Sequence, residues 1–207
     1  MALEVKSGAS ADKLTVDPLS KAARASFYDL QGNYRGVKAT FRGANASSGF
    51  AAAAGTGVFF VIGGSASKTI IVQRILVTGP TLTAVAYNSI LCNKYSTTAF
   101  TGGTPVTFTR VPVDSGNTAV GDVLVQGYTA APTPGTLVGA VGNQRLLLQS
   151  STAAAGGLPL PAAWDFRIQG ENSGLYLRGL TQSLGLAFSA APASAVTLCV
   201  EVEWTEE

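Results

Sequence analysis

Hydrophobic alternation is strongest near the end of the chain, in the stretch AVTLCVEVEW (Ala195–Trp204). Every second residue from Val196 to Trp204 is apolar, and the residues between them are Thr197, Cys199, Glu201 and Glu203. Successive side chains of a β-strand point to opposite faces, so this spacing suits a strand and not a helix. The stretch therefore predicts a long strand with one buried face and one face that is wet or covered by a partner.

A second stretch, SKTIIVQRILVTG, is apolar on both sides of the expected strand. Strict alternation places Ile70, Val72 and Leu76 on one face and Ile71, Ile75 and Val77 on the other. A strand buried on both faces belongs in the middle of a sheet. This segment is therefore predicted to be a central strand.

Further short runs of strand-forming residues recur about every ten positions, with turn residues between them. They are Val58–Ile62, Ala84–Tyr95, Val106–Val113, Val123–Tyr128, Thr136–Val141, Arg145–Gln149, Trp164–Ile168, Leu175–Leu180 and Leu184–Phe188. No run has sustained helical periodicity, and no internal repeat indicates a propeller or solenoid. The chain is predicted to be all-β, an antiparallel β-sandwich that is jelly-roll-like, with an extended N-terminal arm and hairpin.

Residues 1–42 are predicted to form this arm and β-hairpin, and residues 43–207 the sandwich domain. The hairpin is expected to run out through Ala23–Tyr28, turn at Asp29–Gly32 and return through Val37–Arg42. An isolated two-stranded hairpin is marginal in water, so the arm is expected to dock on a neighbouring subunit. The candidate interface residues are Leu14, Val16, Lys21, Arg24, Phe27 and Tyr28, in a homo-oligomer expected to be a trimer.

Charged residues make up 13% of the chain, about half the share in an ordinary soluble domain. This suits a subunit whose surface is partly covered by others, although a surface of Ser, Thr and Ala would give the same composition. The net charge is +2 and the basic residues are scattered, so no nucleic-acid partner is expected. The N-terminal arm is basic, and the last seven residues contain four glutamates. Either these two segments attract each other between copies, or both are solvated chain ends.

The sequence contains no histidine, which removes the usual general base, the Ser-His-Asp triad and the commonest zinc ligand. The acids in the body of the chain are Asp114, Asp122, Asp165 and Glu171. A carboxylate pair for glycoside hydrolysis is conceivable among them, but turn residues and ion-pair partners are the better interpretation. The run DSGNTAVGD is interpreted as a turn and not a calcium loop, because it lacks the closing glutamate. No enzymatic activity, metal or cofactor is predicted.

The two cysteines, Cys92 and Cys199, are too few for a disulfide framework and are interpreted as reduced apolar residues in strands. Residues 43–67 carry no charge, but their Asn, Ser, Gly and Thr leave an apolar core shorter than the ~20 residues of a membrane span. No membrane association and no secretory leader is expected.

Four stretches resemble a group of tailed-bacteriophage virion proteins. They are SGASADKLTVDPLSKAARASFYDLQGNYRG, SKTIIVQRILVTG, GGTPVTFTRVPVDSGNTAVGDVLVQGYTAAPTPGTLVG and CVEVEWTEE. The resemblance implies a structural protein of the virion, assembled in the host cytoplasm. It would bind the major capsid protein or neighbouring subunits as a decoration or cement protein. The alternative is a fibre or spike subunit that binds a receptor or glycan. The resemblance implies no catalytic residues.

Overall fold

The computed structural model describes residues 14–16, 23–25, 39–46, 48–81, 86–118, 123–150, 161–167 and 174–207. Within them every regular element is a β-strand. The chain divides into two compact units, Met1–Lys38 and Ala39–Glu207. In the first unit β1 (Leu14–Val16) pairs antiparallel with β2 (Ala23–Ala25).

The second unit contains two seven-stranded sheets. Sheet 1 has the order β10-β3-β16-β6-β13, with β14 also pairing with β6 and β4 with β16. Its strands are β3 (Ala39–Ala44), β4 (Phe50–Ala51), β6 (Thr69–Thr78), β10 (Thr109–Pro112), β13 (Ala162–Asp165), β14 (Leu175–Arg178) and β16 (Thr197–Glu206).

Sheet 2 has the order β7-β12-β8-β15-β5-β11-β9. Its strands are β5 (Val58–Gly63), β7 (Pro80–Thr81), β8 (Ala86–Ser96), β9 (Thr104–Thr107), β11 (Val125–Ala130), β12 (Thr136–Ser150) and β15 (Ser183–Phe188). Every described pairing in both sheets is antiparallel except that of β7 with β12. The two sheets pack face to face, so the predicted antiparallel β-sandwich is confirmed.

The main core lies between the sheets and is rich in aromatic rings. Trp204 stacks on Phe41 with ring centroids 5.8 Å apart, and Phe59 packs on Phe188 at 4.8 Å. The alternating apolar residues from Val196, just before β16, to Trp204 within it all lie in this core, as the sequence predicted. Each fully buried side chain of this size contributes roughly 1.5–3 kcal/mol to folding, before the cost in conformational entropy.

A second, smaller core covers the other face of sheet 2. Tyr95 packs edge to face on Phe100 at 5.0 Å, and Val58, Val61 and Tyr128 belong to the same cluster. This cluster explains why every residue of β5 is buried. Phe60 and Ile62 face the main core, while Val58 and Val61 face the smaller one.

The faces of β6 differ from the prediction because of a β-bulge at Gln73. Glu203 of β16 lies opposite Arg74, and the next residue, Trp204, lies opposite Val72. Gln73 is the extra residue, and beyond it the alternation changes phase. The residues that reach the main core are therefore Ile70, Val72, Ile75 and Val77, while Leu76 is half-buried outside it. The central position of β6 is confirmed, since β16 lies on one side of it and β13 and β14 lie on the other.

The predicted hairpin between Ala23–Tyr28 and Val37–Arg42 is wrong for its returning strand. Residues 39–44 form β3, which lies in sheet 1 between β10 and β16 with both edges paired. The partner of β2 is β1 instead. Phe41 explains the difference, because its ring is 1% exposed in the main core. The second compact unit begins with β3, at Ala39.

Candidate interaction surfaces

A row of alternating charges crosses the outer face of sheet 1. The register places Arg42 of β3 beside Glu203 of β16, Glu203 beside Arg74 of β6, and Arg74 beside Asp165 of β13. The sequence neighbours of these residues point into the core, so the charged side chains point outward. These four residues are called the charged row.

Ion pairs link Arg42, Glu203 and Asp165 of the row, partly through Arg167, and they use both oxygens of Glu203. Arg42 Nη2 lies 3.1 Å from Glu203 Oε2, and Arg167 Nη1 lies 3.3 Å from Oε1. Arg167 also donates to Asp165, with Nη2 2.7 Å from Oδ2 and Nε 3.0 Å from Oδ1. Among the residues described, no carboxylate lies within ion-pair distance of Arg74, although the charge of Arg74 acts on Asp165.

The chemistry of Asp165 follows from its arginine partner. Hydrogen bonds from the side chain and backbone of Arg167 lower the pKa of Asp165 to about 2. At neutral pH this carboxyl is ionised and has no proton to donate. A general acid of a glycosidase needs the opposite shift in pKa. Asp165 therefore acts as an ion-pair partner here, as the sequence indicated.

A shallow depression of about 200 Å³ lies in the same face. Arg42 and Arg74 flank it, Glu201 and Glu203 line it, and Leu76 adds apolar surface. The small side chain of Ala44 and the backbone of Gly43 complete the lining. Its mixed lining of both charges and apolar atoms suits contact with another protein surface more than capture of a small ion.

The second surface is the outer edge of β12, which we call the open edge. On that side of the strand, the part of the chain that the structure describes pairs only at Gln149 and Ser150, with β7. The first half of β12 is exposed, with Leu137 56%, Val138 62% and Val141 40% accessible. Two irregularities in its pairing with β8, at Val138 and Val141, accompany this exposure.

The open edge has almost no protection by charge. Arg145 is the only charged residue between Thr136 and Ser150. Natural proteins usually cover a long edge strand, shorten it or place several charges on it, because its free N–H and C=O groups pair with other chains. A long, apolar and nearly uncharged edge is therefore a surface on which another chain can add a strand.

The cysteines and the possible metal ligands are the other groups of usual catalytic interest in the described segments. Cys92 is fully buried in the main core, and this burial raises the pKa of its thiol to about 12. Cys199 is half-buried, and neither cysteine forms a disulfide, as predicted. No cluster of three potential metal ligands occurs among the residues that the structure describes.

Asp114 lies in the predicted turn. Its Oδ1 accepts a hydrogen bond from the backbone N–H of Gly116 at 2.9 Å, and its carbonyl accepts one from Asn117. This arrangement explains the DSGN sequence by turn geometry alone. Asp122 and Glu171, the other two candidate acids, lie outside the described residues.

The glutamates near the end of the chain belong to a strand and not to a loose tail. Glu206 is 7% exposed and accepts a hydrogen bond from Trp204 Nε1 at 3.0 Å. The backbone of Glu207 pairs with Thr69. The expectation of a solvated acidic end is therefore wrong for Glu206. Glu201 and Glu203 lie on the outer face of sheet 1.

The predicted interface residues of the arm are only partly described. Leu14 lies opposite Ala25 in the β1–β2 pair, Val16 opposite Ala23, and Arg24 opposite Thr15. Lys21, Phe27 and Tyr28 lie outside the described residues. The docking role of these six residues remains a prediction.

Neither surface was identified from the sequence. The charged row joins four strands, and the bond from Arg42 to Glu203 spans 161 positions, so no local pattern reveals it. The open edge did leave a signal, because TLVGAVGNQ follows PTPG and carries no charge over a stretch that continues as a strand. Its alternation predicts two separate strands, Thr136–Val141 and Arg145–Gln149, since the bulges of β12 interrupt the two-residue period.

Comparisons with protein-family models, with curated proteins and with solved structures give no match. Within the described residues, no helix has the length and apolar character that a membrane crossing needs.

Proposed function

We propose that this chain is a structural protein of a tailed-phage virion, a decoration or cement protein that binds the capsid surface or neighbouring subunits. The open edge of β12, with its exposed Leu137 and Val138, is the observation that supports a binding role. The virion context rests on the resemblance of the four sequence stretches given above. In this proposal the chain works by protein contacts and has no catalytic step.

The open edge offers two kinds of contact to a partner. Backbone groups along β12 supply main-chain hydrogen bonds to an added strand, and the exposed side chains of Leu137, Val138 and Val141 supply apolar area. Apolar groups that are exposed in the free chain and buried in the assembly favour association. In our proposal the added strand is an extended segment of a neighbouring virion subunit.

The arm of another copy is the segment that we propose for this edge. Leu14 and Val16 lie in a strand of only three residues, β1. A short strand gains main-chain hydrogen bonds by joining a larger sheet. Lys21, Arg24, Phe27 and Tyr28 would then contact the rim of the site.

The decisive experiment is incorporation into particles. A Val138→Lys variant places a charge on the open edge and should fold normally, since Val138 is 62% exposed. The proposal expects labelled wild-type protein on the head shell of purified particles and strong loss of the V138K variant from them. Leu180→Lys is the matched control, because Leu180 is 52% exposed outside β12. Equal incorporation of V138K and wild type would contradict the proposed role of this edge.

An alternative function is a fibre or spike subunit that binds a glycan, and one observation favours it. Tyr87 is 69% exposed, and the guanidinium of Arg145 lies 5.9 Å from its ring centroid. An exposed aromatic ring beside a hydrogen-bond donor is a surface on which a sugar ring can stack. A glycan array tests this: sugar binding that disappears in Tyr87→Ala supports the spike function, and a blank array counts against it.

A further inference from the structure

We propose that the outer face of sheet 1 is a self-association surface, on which two copies of this chain stack face to face about a two-fold axis parallel to the strands. The inference concerns a different surface from the open edge and does not depend on the proposed virion function. The order of the charges across the sheet supports it.

The charged row reads positive, negative, positive, negative from Arg42 through Glu203 and Arg74 to Asp165. Its midpoint lies between β16 and β6. A two-fold axis that runs there along the strands reverses the row in the second copy. Arg42 then faces Asp165 of the second copy, and Glu203 faces Arg74 of the second copy, so every charge in the row meets its opposite.

The same pattern excludes the other simple arrangement. An axis parallel to the row would place each charge opposite its own copy, Arg42 on Arg42 and Asp165 on Asp165. Charges of like sign in an interface are strongly unfavourable, so the row selects one orientation of the two sheets. Both arrangements keep the strands of the two sheets alongside each other, which is the commonest way in which two sheets pack, so the charges alone decide between them.

The balance of charge on this face is compatible with pairing. Arg167 adds a positive charge beside Asp165, and Glu201 adds a negative one in the next row. With the four charges of the row, these groups number three positive and three negative in each copy. Arg178 of β14, exposed farther along the same face, adds one more positive charge, so the row and its surroundings are balanced while the whole face carries +1.

The neighbouring row permits close approach. Ala44, Glu201, Leu76 and Ala163 lie side by side across the same four strands. Reversal places Ala44 opposite Ala163 and Glu201 opposite Leu76, so no like charges meet there. Three of these four side chains are small or apolar, so Glu201 is the one charged group of this row. On the other side of the charged row the outward residues Ile71 and Thr205 are 0% and 6% exposed, so the surface open to a second copy consists of the charged row and this neighbouring row.

Arg74 is the residue of the row that would gain an ion pair from a second copy. It is central in the row and half-buried, and among the described residues no carboxylate forms an ion pair with it. The carboxylates on either side of it are held by Arg42 and Arg167. In the stacked pair, Glu203 of the second copy faces Arg74.

A second copy is favoured over a partner of another kind by the alternation itself. A polyanion or a basic protein binds a surface patch whose charges all have one sign. A row with an even number of alternating charges is instead complementary to the same row, reversed, in a second copy. The two-fold pair also differs from the trimer expected from the sequence, so the mass of the complex separates them.

The test is a charge-swap experiment on the full chain, with association measured by sedimentation and native mass spectrometry. The wild type should form dimers, with a dissociation constant that rises about tenfold or more between about 0.05 M and about 0.5 M salt, because salt screens the facing charges. Arg42→Asp and Asp165→Arg should each be monomeric, since each creates two like-charge contacts in its homodimer.

Mixing the two variants should restore a one-to-one heterodimer. In that complex Asp at position 42 faces Arg at position 165, and the unchanged Arg42 of one copy faces the unchanged Asp165 of the other. Lys68→Asp is the matched control, because Lys68 is an exposed base outside the row, and its dimer should be unaffected. Both substituted side chains of the row are well exposed, 68% for Arg42 and 41% for Asp165, so the variants are expected to fold.

Three results would overturn the proposal: a wild type that remains monomeric at low salt, a trimer as the smallest assembly, or a mixture of the two variants that does not form the heterodimer. The salt dependence of the wild type does not require any variant to fold. If the protein forms the dimer but is not incorporated into virions, the proposed function is contradicted and this surface is not.

Discussion

Gly142 and Gly139 lie in the same strand but have different surroundings. A Cβ on Gly142 would lie 2.8 Å from Cδ1 of Trp164 and 3.0 Å from its Nε1. A Cβ on Gly139 would have no atom within 4 Å. The Trp164 ring is 4% exposed and packed in the main core, so it has little freedom to move away. The close approach of β12 and β13 therefore requires glycine at position 142 and not at position 139.

We expect Gly142→Ala to lower the free energy of unfolding by about 1–3 kcal/mol, the usual cost of an added methyl group in a packed site. Gly139→Ala is the control and should change it by less than about 0.5 kcal/mol. Urea unfolding of the two variants measures both values. Equal midpoints for the two would show that Trp164 does not pack on β12 in this way.

The pKa of Asp165 gives a prediction at the same scale. Its pKa is lowered from 3.8 to about 2 in the folded chain, so the folded state binds this proton less readily than the unfolded state. The stabilisation from its ion pair with Arg167 is present above about pH 3.8 and disappears as the pH falls through about 2. Side-chain NMR titration should find the lowered pKa, and Arg167→Gln should return it towards 3.8. An Asp165 pKa that the R167Q substitution leaves unchanged would show that Arg167 is not its cause.

At the scale of elements, β6 and β16 form the centre of sheet 1. Eight registered positions join them, from Cys199 opposite Thr78 to Glu206 opposite Ile70. Ile75 and Leu198 lie in the main core with 0% exposure, and Ile71 is equally buried. The position of β6 between β16 and the β13–β14 side means that a cavity there affects several strands.

Replacing Ile75 or Leu198 with Ala should each lower the free energy of unfolding by about 2–5 kcal/mol, through lost burial and a residual cavity. Val111→Ala provides the comparison, because Val111 is 53% exposed on the edge strand β10. Its effect should be below about 0.5 kcal/mol. Chemical denaturation followed by tryptophan fluorescence measures all three, and midpoints that do not differ would contradict the central position of β6.

At the scale of the whole molecule, the chain divides at Lys38 and Ala39 into two units. The second unit has its own core, with Phe41 of β3 stacked on Trp204 of β16. A unit with a complete core and paired strands is expected to fold without the residues before it.

Deletion of Met1–Gln31 should therefore leave a folded sandwich with a near-native unfolding transition, while assembly into particles is lost because the docking arm is missing. Calorimetry and particle incorporation measure the two parts separately. A truncated protein that fails to fold would show that the arm belongs to the core. One that folds and still assembles would contradict the docking role of the arm.

The sequence by itself determined the class of fold and the inward face of β16, because the two-residue period of a strand is a local property of the chain. The β-strands and the turn at Asp114 follow from neighbours a few positions apart, and the reduced state of Cys92 and Cys199 was expected from the low number of cysteines. Each of these features was predicted correctly from the residues alone.

Only the tertiary structure decided which strands meet and where the alternation changes phase. Strict alternation placed Leu76 on the same face as Ile70 and Val72, and the bulge at Gln73 moved it to the outer face. The burial of Phe41 places β3 in sheet 1 and not in a hairpin with β2. The charged row exists because β3, β16, β6 and β13 are adjacent, although they are far apart in sequence. Strand pairing is set by the packing of the entire core, and this sum over distant contacts cannot be read from any one segment.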